Sequence, residues 1–470
     1  MSLSQKTVKE LREKCKDLNI KNYSNKKKSL LIELINTYEN STNENNTNEN
    51  NTNENNTNSN TENKINMIPE YDLEKIIETL HKLLKTKKFV DLFCGIGGFH
   101  QALTTFGLEC LLACDIDKAC RAVYKDNYGI DPIEDVRKIN PEELEDFSIL
   151  CGGFPCQSFS NGGKKKAFND ERGLLFDEIM RIAKVKQPEF MFLENVKHIR
   201  KVDDGNVLKY ILDKLDKNNY YVKTFDISPH QFGIPQQRER VYFVCIHKSI
   251  YHNKTLDLII PKNKPIKLES FLEETPDPKY NVNGDILNVL DAWETMIQKF
   301  PKGEKISPTI LVNEFYKSYT EEEFNDLPNW KKDYIEKNKP LYIKYKKHWD
   351  TWYKKNESIL DKREIYAKLE WQTGLIKEND SIFNHFIQLR QSGIRVKKAH
   401  YFPTLVAISQ IPIYGKQKRY ITPRECARLQ SFPDTFKIDP SDKNSYKQFG
   451  NCVNVDNVRT IMKMTFQSFV

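Results

Sequence analysis

The sequence predicts an α/β protein with a doubly wound, mostly parallel sheet, joined to a smaller domain and preceded by a small helical module. Three observations lead there. From Ile65 onward, short apolar runs alternate with helical patterns, as strand–helix–strand units require. The residues able to do chemistry cluster at the carboxyl ends of those runs, where open parallel sheets place their sites. A polar, low-complexity tract sets the first forty residues apart from the rest.

Taken in order, Val8, Leu11, Cys15 and Leu18 recur at helical spacing, as do Leu30, Leu31, Leu34 and Ile35. The basic connector Lys21-Asn22-Tyr23-Ser24-Asn25-Lys26-Lys27-Lys28 lies between them. Residues 41–64 repeat a five-residue Asn/Thr/Glu unit four times. That tract has almost nothing to bury, so residues 41–68 are expected to be a disordered linker. Phe89–Phe93 then reads as a buried strand, Cys94–Phe99 as a tight glycine turn and His100–Phe106 as a helix start. A strand (Leu111–Asp115), a helix (Lys118–Asn127) and a strand (Ser148–Cys151) follow, then a helix (Leu174–Lys184) and the strands Phe190–Glu194 and Val241–Val244.

At 470 residues the chain has room for two or three domains. Its formal charge of +8 leans toward a polyanionic partner. Residues 1–40 hold nine Lys or Arg against five Asp or Glu, half of that excess. Ten cysteines without CxxC pairs argue for reduced thiols rather than a disulfide framework or zinc site. The amino terminus lacks a signal-peptide pattern, and no run approaches eighteen apolar residues. A soluble intracellular protein is expected, neither secreted nor membrane-bound.

Ile149–Ser160 holds the most reactive candidate. Two glycines follow an apolar run, and Pro155 then presents Cys156 at the start of a loop. A thiol on glycine-rich backbone after a strand suits a nucleophile, although a buried cysteine in a tight turn fits the same local pattern. The turn Phe93-Cys94-Gly95-Ile96-Gly97-Gly98 follows a strand and opens a helix, with Asp115 ending the next strand. In Rossmann-like sites such an acid accepts from both hydroxyls of a ribose. The pattern is Phe-x-Gly-x-Gly-Gly rather than Gly-x-Gly-x-x-Gly. It suits a nucleoside without pyrophosphate, which makes S-adenosylmethionine the leading ligand.

Asp91–Phe99, Gly153–Gln157, Glu194-Asn195-Val196, Gln237-Arg238-Glu239-Arg240, Arg424–Gln430 and Gln448–Asn451 occur in that order. The series resembles the cytosine-carbon-5 DNA methyltransferase family over residues 87–247 and 420–470. The resemblance implies a Rossmann-like S-adenosylmethionine-dependent methyltransferase fold. It places the catalytic domain at 69–250, a target recognition domain at 251–419, and a carboxyl-terminal part at 420–470 that completes the first.

The resemblance also assigns roles. Cys156 is the nucleophile, Glu194 the acid for the cytosine ring, and Arg240 the residue that orients the base. Phe93, Gly95, Gly97, Gly98, Asp115, Asp135 and Asn451 bind the cofactor. Gln157, Ser158 and Arg238 fall on the DNA side, with Arg238 the more structural of the two arginines around Glu239; within the recognition interval, the basic residues Arg395 and Lys397 are candidate groove residues. The family usually has Glu where this chain has Asp115. S-adenosylmethionine is the implied cofactor, with no metal.

Double-stranded DNA is the implied partner of a monomer, and restriction-modification style adds a cognate endonuclease. The compartment would be the cytoplasm in a bacterium, or the nucleus or a viral factory otherwise. Residues 1–40 resemble a SAP box, a helix–extended–helix DNA-binding module, with Ser24 where that family usually has Gly. In the recognition interval, Trp330–Lys355 interleaves aromatic and basic residues, which fits either DNA contact or a basic helix over a local core. The tRNA-modifying branch of the same superfamily carries a Cys-Phe-Thr tripeptide in this interval, and residues 251–419 contain none.

Overall fold

A computed structural model describes residues 6–18, 27–28, 30–32, 35, 72–155, 174–252, 256, 267–306, 309–407 and 410–470. The expected linker, most of the basic connector, and Cys156, Gln157 and Ser158 lie outside the described residues. The chain divides into two compact units, Met1–Ile65 and Asn66–Val470.

In the first unit, the helix Val8–Asp17 opens with a reciprocal cap between Thr7 and Glu10. Leu11 and Cys15 pack against Leu31 and Ile35, so the two apolar stripes meet as their spacing predicts.

The second unit contains two six-stranded sheets. The first comprises β1 (Lys88–Leu92), β2 (Glu109–Cys114), β3 (Ile149–Gly153), β4 (Phe190–Val196), β5 (Tyr220–Ile227) and β6 (Arg240–His247), in the order β2-β1-β3-β4-β6-β5. All neighbours are parallel except β6, which runs antiparallel to both β4 and β5. A bridge between Cys114 and Ile133 extends pairing beyond β2. Side chains alternate between two apolar layers, as a sheet covered on both faces requires. Phe89, Phe190, Phe192 and Tyr242 pack with the helices Leu73–Leu83, Gly98–Leu103 and Val455–Gln467. Val90, Leu92, Met191 and Phe243 pack with Leu174–Lys186 and Asn206–Lys217. The chain's last helix therefore covers the first sheet.

Register fixes what meets at the carboxyl edge. Leu92 pairs with Cys114 and Gly152, and Gly153 pairs with Glu194. Because β6 is antiparallel, its first residue, Arg240, pairs with Val196 at the end of β4. A glutamate and an arginine forty-odd residues apart thus arrive together.

The second sheet comprises β7 (Thr309–Leu311), β8 (Lys368–Gln372), β9 (Phe386–Arg390), β10 (Gly393–Lys397), β11 (Ile413–Tyr414) and β12 (Arg419–Tyr420), in the order β12-β11-β9-β10-β8-β7. One face packs on the helices Gly284–Ile297, Asn329–Lys344 and Lys346–Leu360. Within the basic–aromatic segment, Trp349 and Trp352 are buried and the Trp352 indole donates to the Ala292 carbonyl at 2.7 Å. Those two rings build a local core, so they are not DNA anchors. Trp330, by contrast, is exposed.

Candidate active site

A cavity of about 630 Å³ opens at the carboxyl edge of the first sheet. It brings together Phe93, Gly95, Gly98, Asp115, Asp135, Glu194, Arg238, Arg240 and Asn451, drawn from segments spread across the second unit. Phe154 and Pro155 also line it, and Cys156 is the next residue in the chain.

The turn after β1 shapes one wall. Phe93 and Gly95 have φ of 53° and 54°, so the chain reverses immediately after the strand. Gly97 acts differently from its neighbours. Its φ is 88°, and a Cβ there would lie 2.3 Å from the Tyr128 ring, so it serves helix packing rather than the cavity wall. At Gly98 a Cβ would meet Val453 at 2.6 Å and the Cys452 sulfur at 2.9 Å. The turn and the carboxyl-terminal segment can approach this closely only around glycine. Beneath them, Asp91 is fully buried and accepts from the Cys151 thiol and the Tyr124 hydroxyl, each at 3.5 Å. Burial pushes its carboxyl up to about 7.

Asp115 holds the turn and faces the cavity. Oδ2 accepts from the Gly95 amide and Oδ1 from the Asp117 amide, both at 2.8 Å. Burial raises its carboxyl above the ordinary range, against the lowering effect of those two amides. Each oxygen retains a second acceptor site, the capacity a ribose diol needs. Between these aspartates, Ile116 lines the cavity with 72% exposure. Its only signal in the sequence is an isolated apolar side chain directly after the strand-end acid.

Asp117 caps the following helix through the Ala119 amide at 2.9 Å and pairs with Lys447 at 2.6 Å. Asp135 is committed to a bidentate pair with Arg137, which holds its carboxyl below the usual range. Asn451 ends the helix Asp442–Asn451 on the cavity's far side.

The opposite wall is electrostatic. Arg240 Nε lies 3.0 Å from Glu194 Oε1 in an ion pair, and Arg240 Nη1 donates to the Glu239 carbonyl at 2.8 Å. The Glu194 side chain is only 10% exposed. Burial raises its carboxyl above the ordinary value, while Arg240 and then Arg238 oppose the rise. Gly153 leaves room for it, since a Cβ there would lie 3.3 Å from Oε2. Asn195 braces the segment that leads to Cys156, donating from Nδ2 to the Phe154 carbonyl at 3.0 Å. Nothing in the Glu194-Asn195-Val196 motif itself signals this brace, because Phe154 lies forty-one residues away in the chain.

Arg238, grouped by sequence with the DNA-side residues, needs correcting. Its guanidinium is buried and donates to the carbonyls of Leu405 (2.6 Å), Gly450 (2.9 Å) and Cys452 (3.0 Å). Those bonds tie the segment between β10 and β11 to the cavity wall, while Nε stays buried without a hydrogen-bond partner among the described residues. Thr404 supports the same junction by donating to the Gln237 carbonyl. Arg238→Ala would strand three buried carbonyls and is expected to cost about 3 kcal/mol or more of stability, read by thermal unfolding. Arg395 and Lys397 lie on β10 in the second sheet, and neither lines this cavity.

A doubly wound sheet with a nucleoside-sized cavity at its carboxyl edge defines a Rossmann-like nucleoside-binding protein. Residues 87–467 match the family model described as C-5 cytosine-specific DNA methylase, and the chain belongs to that family. It is 30% identical over 386 residues to the type II methyltransferase M.HhaI of Haemophilus parahaemolyticus, covering 82% of this chain and 96% of that protein. It is 32% identical over 379 residues to M1.ScrFI of Lactococcus lactis subsp. cremoris (80% and 76% covered). The same identity holds over 382 residues to M.HpaII of Haemophilus parainfluenzae (80% and 88%). Residues 2–39 match the Rho termination factor, N-terminal domain model. The SAP-box resemblance of residues 1–40 is therefore not supported. No helix among the described residues is long and apolar enough to cross a membrane.

Proposed function

We propose that this DNA cytosine-5 methyltransferase modifies one short recognition site, in the manner of restriction-modification systems, through a covalent Cys156 adduct. The observation that carries this reading is the Glu194–Arg240 pair, set in the same cavity as the Asp115-braced glycine turn and beside Pro155.

The residues fit S-adenosylmethionine. Gly98 clears the wall, Asp115 offers diol acceptors, and Phe93 and Ile116 provide apolar surface for a base. Asp135 and Asn451 complete the binding side. When bound, S-adenosylmethionine supplies a methyl group on sulfonium. Asp115→Ala removes a charged acceptor from both turn and ligand. It is expected to weaken cofactor binding by about ten- to a hundredfold in calorimetry, with the fold retained.

Cytosine carbon 5 is a poor nucleophile, so the ring must lose aromaticity temporarily. The Cys156 thiolate adds to carbon 6 and electron density moves toward ring nitrogen 3. Glu194, its carboxyl raised by burial, gives a proton or hydrogen bond there. Arg240 holds Glu194 from one side and orients the base with its remaining donors. After methyl transfer, loss of the carbon-5 proton and departure of Cys156 restore the ring. Reaching carbon 6 requires flipping the base from the duplex, with Gln157 and Ser158 beside the vacated position. Residues 1–40, with nine Lys or Arg against five Asp or Glu, add loose phosphate contact.

Expression in a methylation-free host followed by bisulfite sequencing tests the reading. One enriched 5-methylcytosine motif is expected. A genome indistinguishable from that of a Cys156→Ser control would sink it.

A further inference from the structure

One face of the second sheet carries an arginine held by a buried carboxylate. Arg395 on β10 pairs in register with Glu370 on β8 and with Gln388 on β9, so the three side chains share one face. Leu369, Ile387 and Val396 occupy the other face, in the core. On the polar face Arg395 Nε donates to Glu370 Oε2. Glu370 is 4% exposed, and its second oxygen, Oε1, is buried without a hydrogen-bond partner among the described residues. A carboxylate buried this deeply is costly unless it holds its cation in one place.

The surrounding charge is one-sided. Lys397 follows Arg395 on the same face of β10, and Arg390 lies on β9 opposite Gly393. Burial and the neighbouring Arg395 hold both Lys397 and Arg390 below their ordinary values. Lys368 on β8 also lies on this face, paired with Glu364, so four cations surround the one buried carboxylate, a balance that suits a polyanion. Glu370 engages Nε of Arg395, leaving the two terminal nitrogens of the guanidinium fork in a fixed plane. That fork matches O6 and N7 of guanine in the major groove, a pairing that lysine's point charge cannot reproduce.

Resting on the DNA methyltransferase reading, we infer that Arg395 is a base-reading residue for one guanine of the recognition site, with Glu370 as the positioning residue that fixes its fork. Arg390 and Lys397 flank that contact as cations for the adjoining backbone phosphates.

The test uses the full chain and the site found in the wild-type methylome. Duplexes carrying 7-deazaguanine at each guanine of that site, one at a time, are titrated with wild type, Arg395→Ala, Arg395→Lys and Glu370→Gln. At one position the missing N7 should weaken wild-type binding about tenfold. Both Arg395 variants should be insensitive there, and their methylomes should admit other bases at that position. Glu370→Gln should relax the same position while leaving S-adenosylmethionine binding unchanged, which general loss of structure would not do. Equal wild-type affinity for all the substituted duplexes overturns the inference. So does an unaltered motif in Arg395→Ala. A wild-type protein that leaves no 5-methylcytosine in any context instead refutes the enzymatic reading, and the inference with it.

Discussion

Cys156→Ser is expected to cut methyl transfer on the order of 10⁴-fold or more while leaving S-adenosylmethionine affinity intact. A serine hydroxyl keeps the size of the thiol, but its ordinary acidity leaves almost no oxyanion near neutral pH, and no base among the residues assigned here serves it. The cofactor side of the cavity is built from the Phe93–Gly98 turn, Asp115 and the Gly450–Val453 segment, none of which depends on position 156. Single-turnover transfer and calorimetric binding should therefore separate. If both fell together, position 156 would be part of the binding wall rather than the nucleophile.

The second large effect concerns Glu194. Glu194→Gln keeps a hydrogen-bonding group near ring nitrogen 3 but cannot deliver a proton, so a loss of about 10²- to 10⁴-fold in the chemical step is expected. The pH dependence identifies the group. Burial raises the Glu194 carboxyl and Arg240 opposes that rise. The protonated form prevails below the raised value and disappears as pH increases, so Glu194 contributes a limb on which the rate falls with rising pH. Removing the opposing cation in Arg240→Ala leaves burial less restrained and should move that limb to higher pH. Glu194→Gln should abolish it. A limb that ignores Arg240→Ala, or survives Glu194→Gln, would assign the proton to another group.

The parts of the fold legible in the sequence were those where local chemistry and periodicity agreed. β1, β3 and β4 are built on short apolar runs that lead into the glycine turn, a Gly-Gly pair and Glu194, and each appears at its expected place. β5 was not singled out. Its residues, including Lys223, Thr224 and Asp226, are mostly only partly buried, as suits a strand at the sheet's edge, and they give neither an apolar run nor clean alternation. The second sheet was hidden for another reason. Its strands are two to five residues long and interrupted by helices, so long-range pairing rather than local pattern defines them.

At the site, five of the six motif segments, all but Arg424–Gln430, contribute residues to one cavity, because parallel strands share a carboxyl edge and antiparallel β6 brings Arg240 back to it. Two assignments changed with three-dimensional detail. Gly97 makes room for Tyr128, and Arg238 braces three carbonyls contributed by distant segments. Neither partner set is adjacent in the sequence, so spacing alone could not separate wall from brace. Ile116 and Glu370 were missed because single apolar or acidic residues acquire meaning only from what stands opposite them.

The most direct measurement is covalent capture. A duplex bearing the recognition site with 5-fluorocytosine at the target position lacks the carbon-5 proton whose loss releases the enzyme. Incubated with the protein and S-adenosylmethionine, it should form a denaturant-stable one-to-one adduct. Peptide mapping should place the attachment at Cys156, and Cys156→Ser should form none. An adduct at another cysteine, or methyl transfer proceeding with no trapped species, would contradict the account.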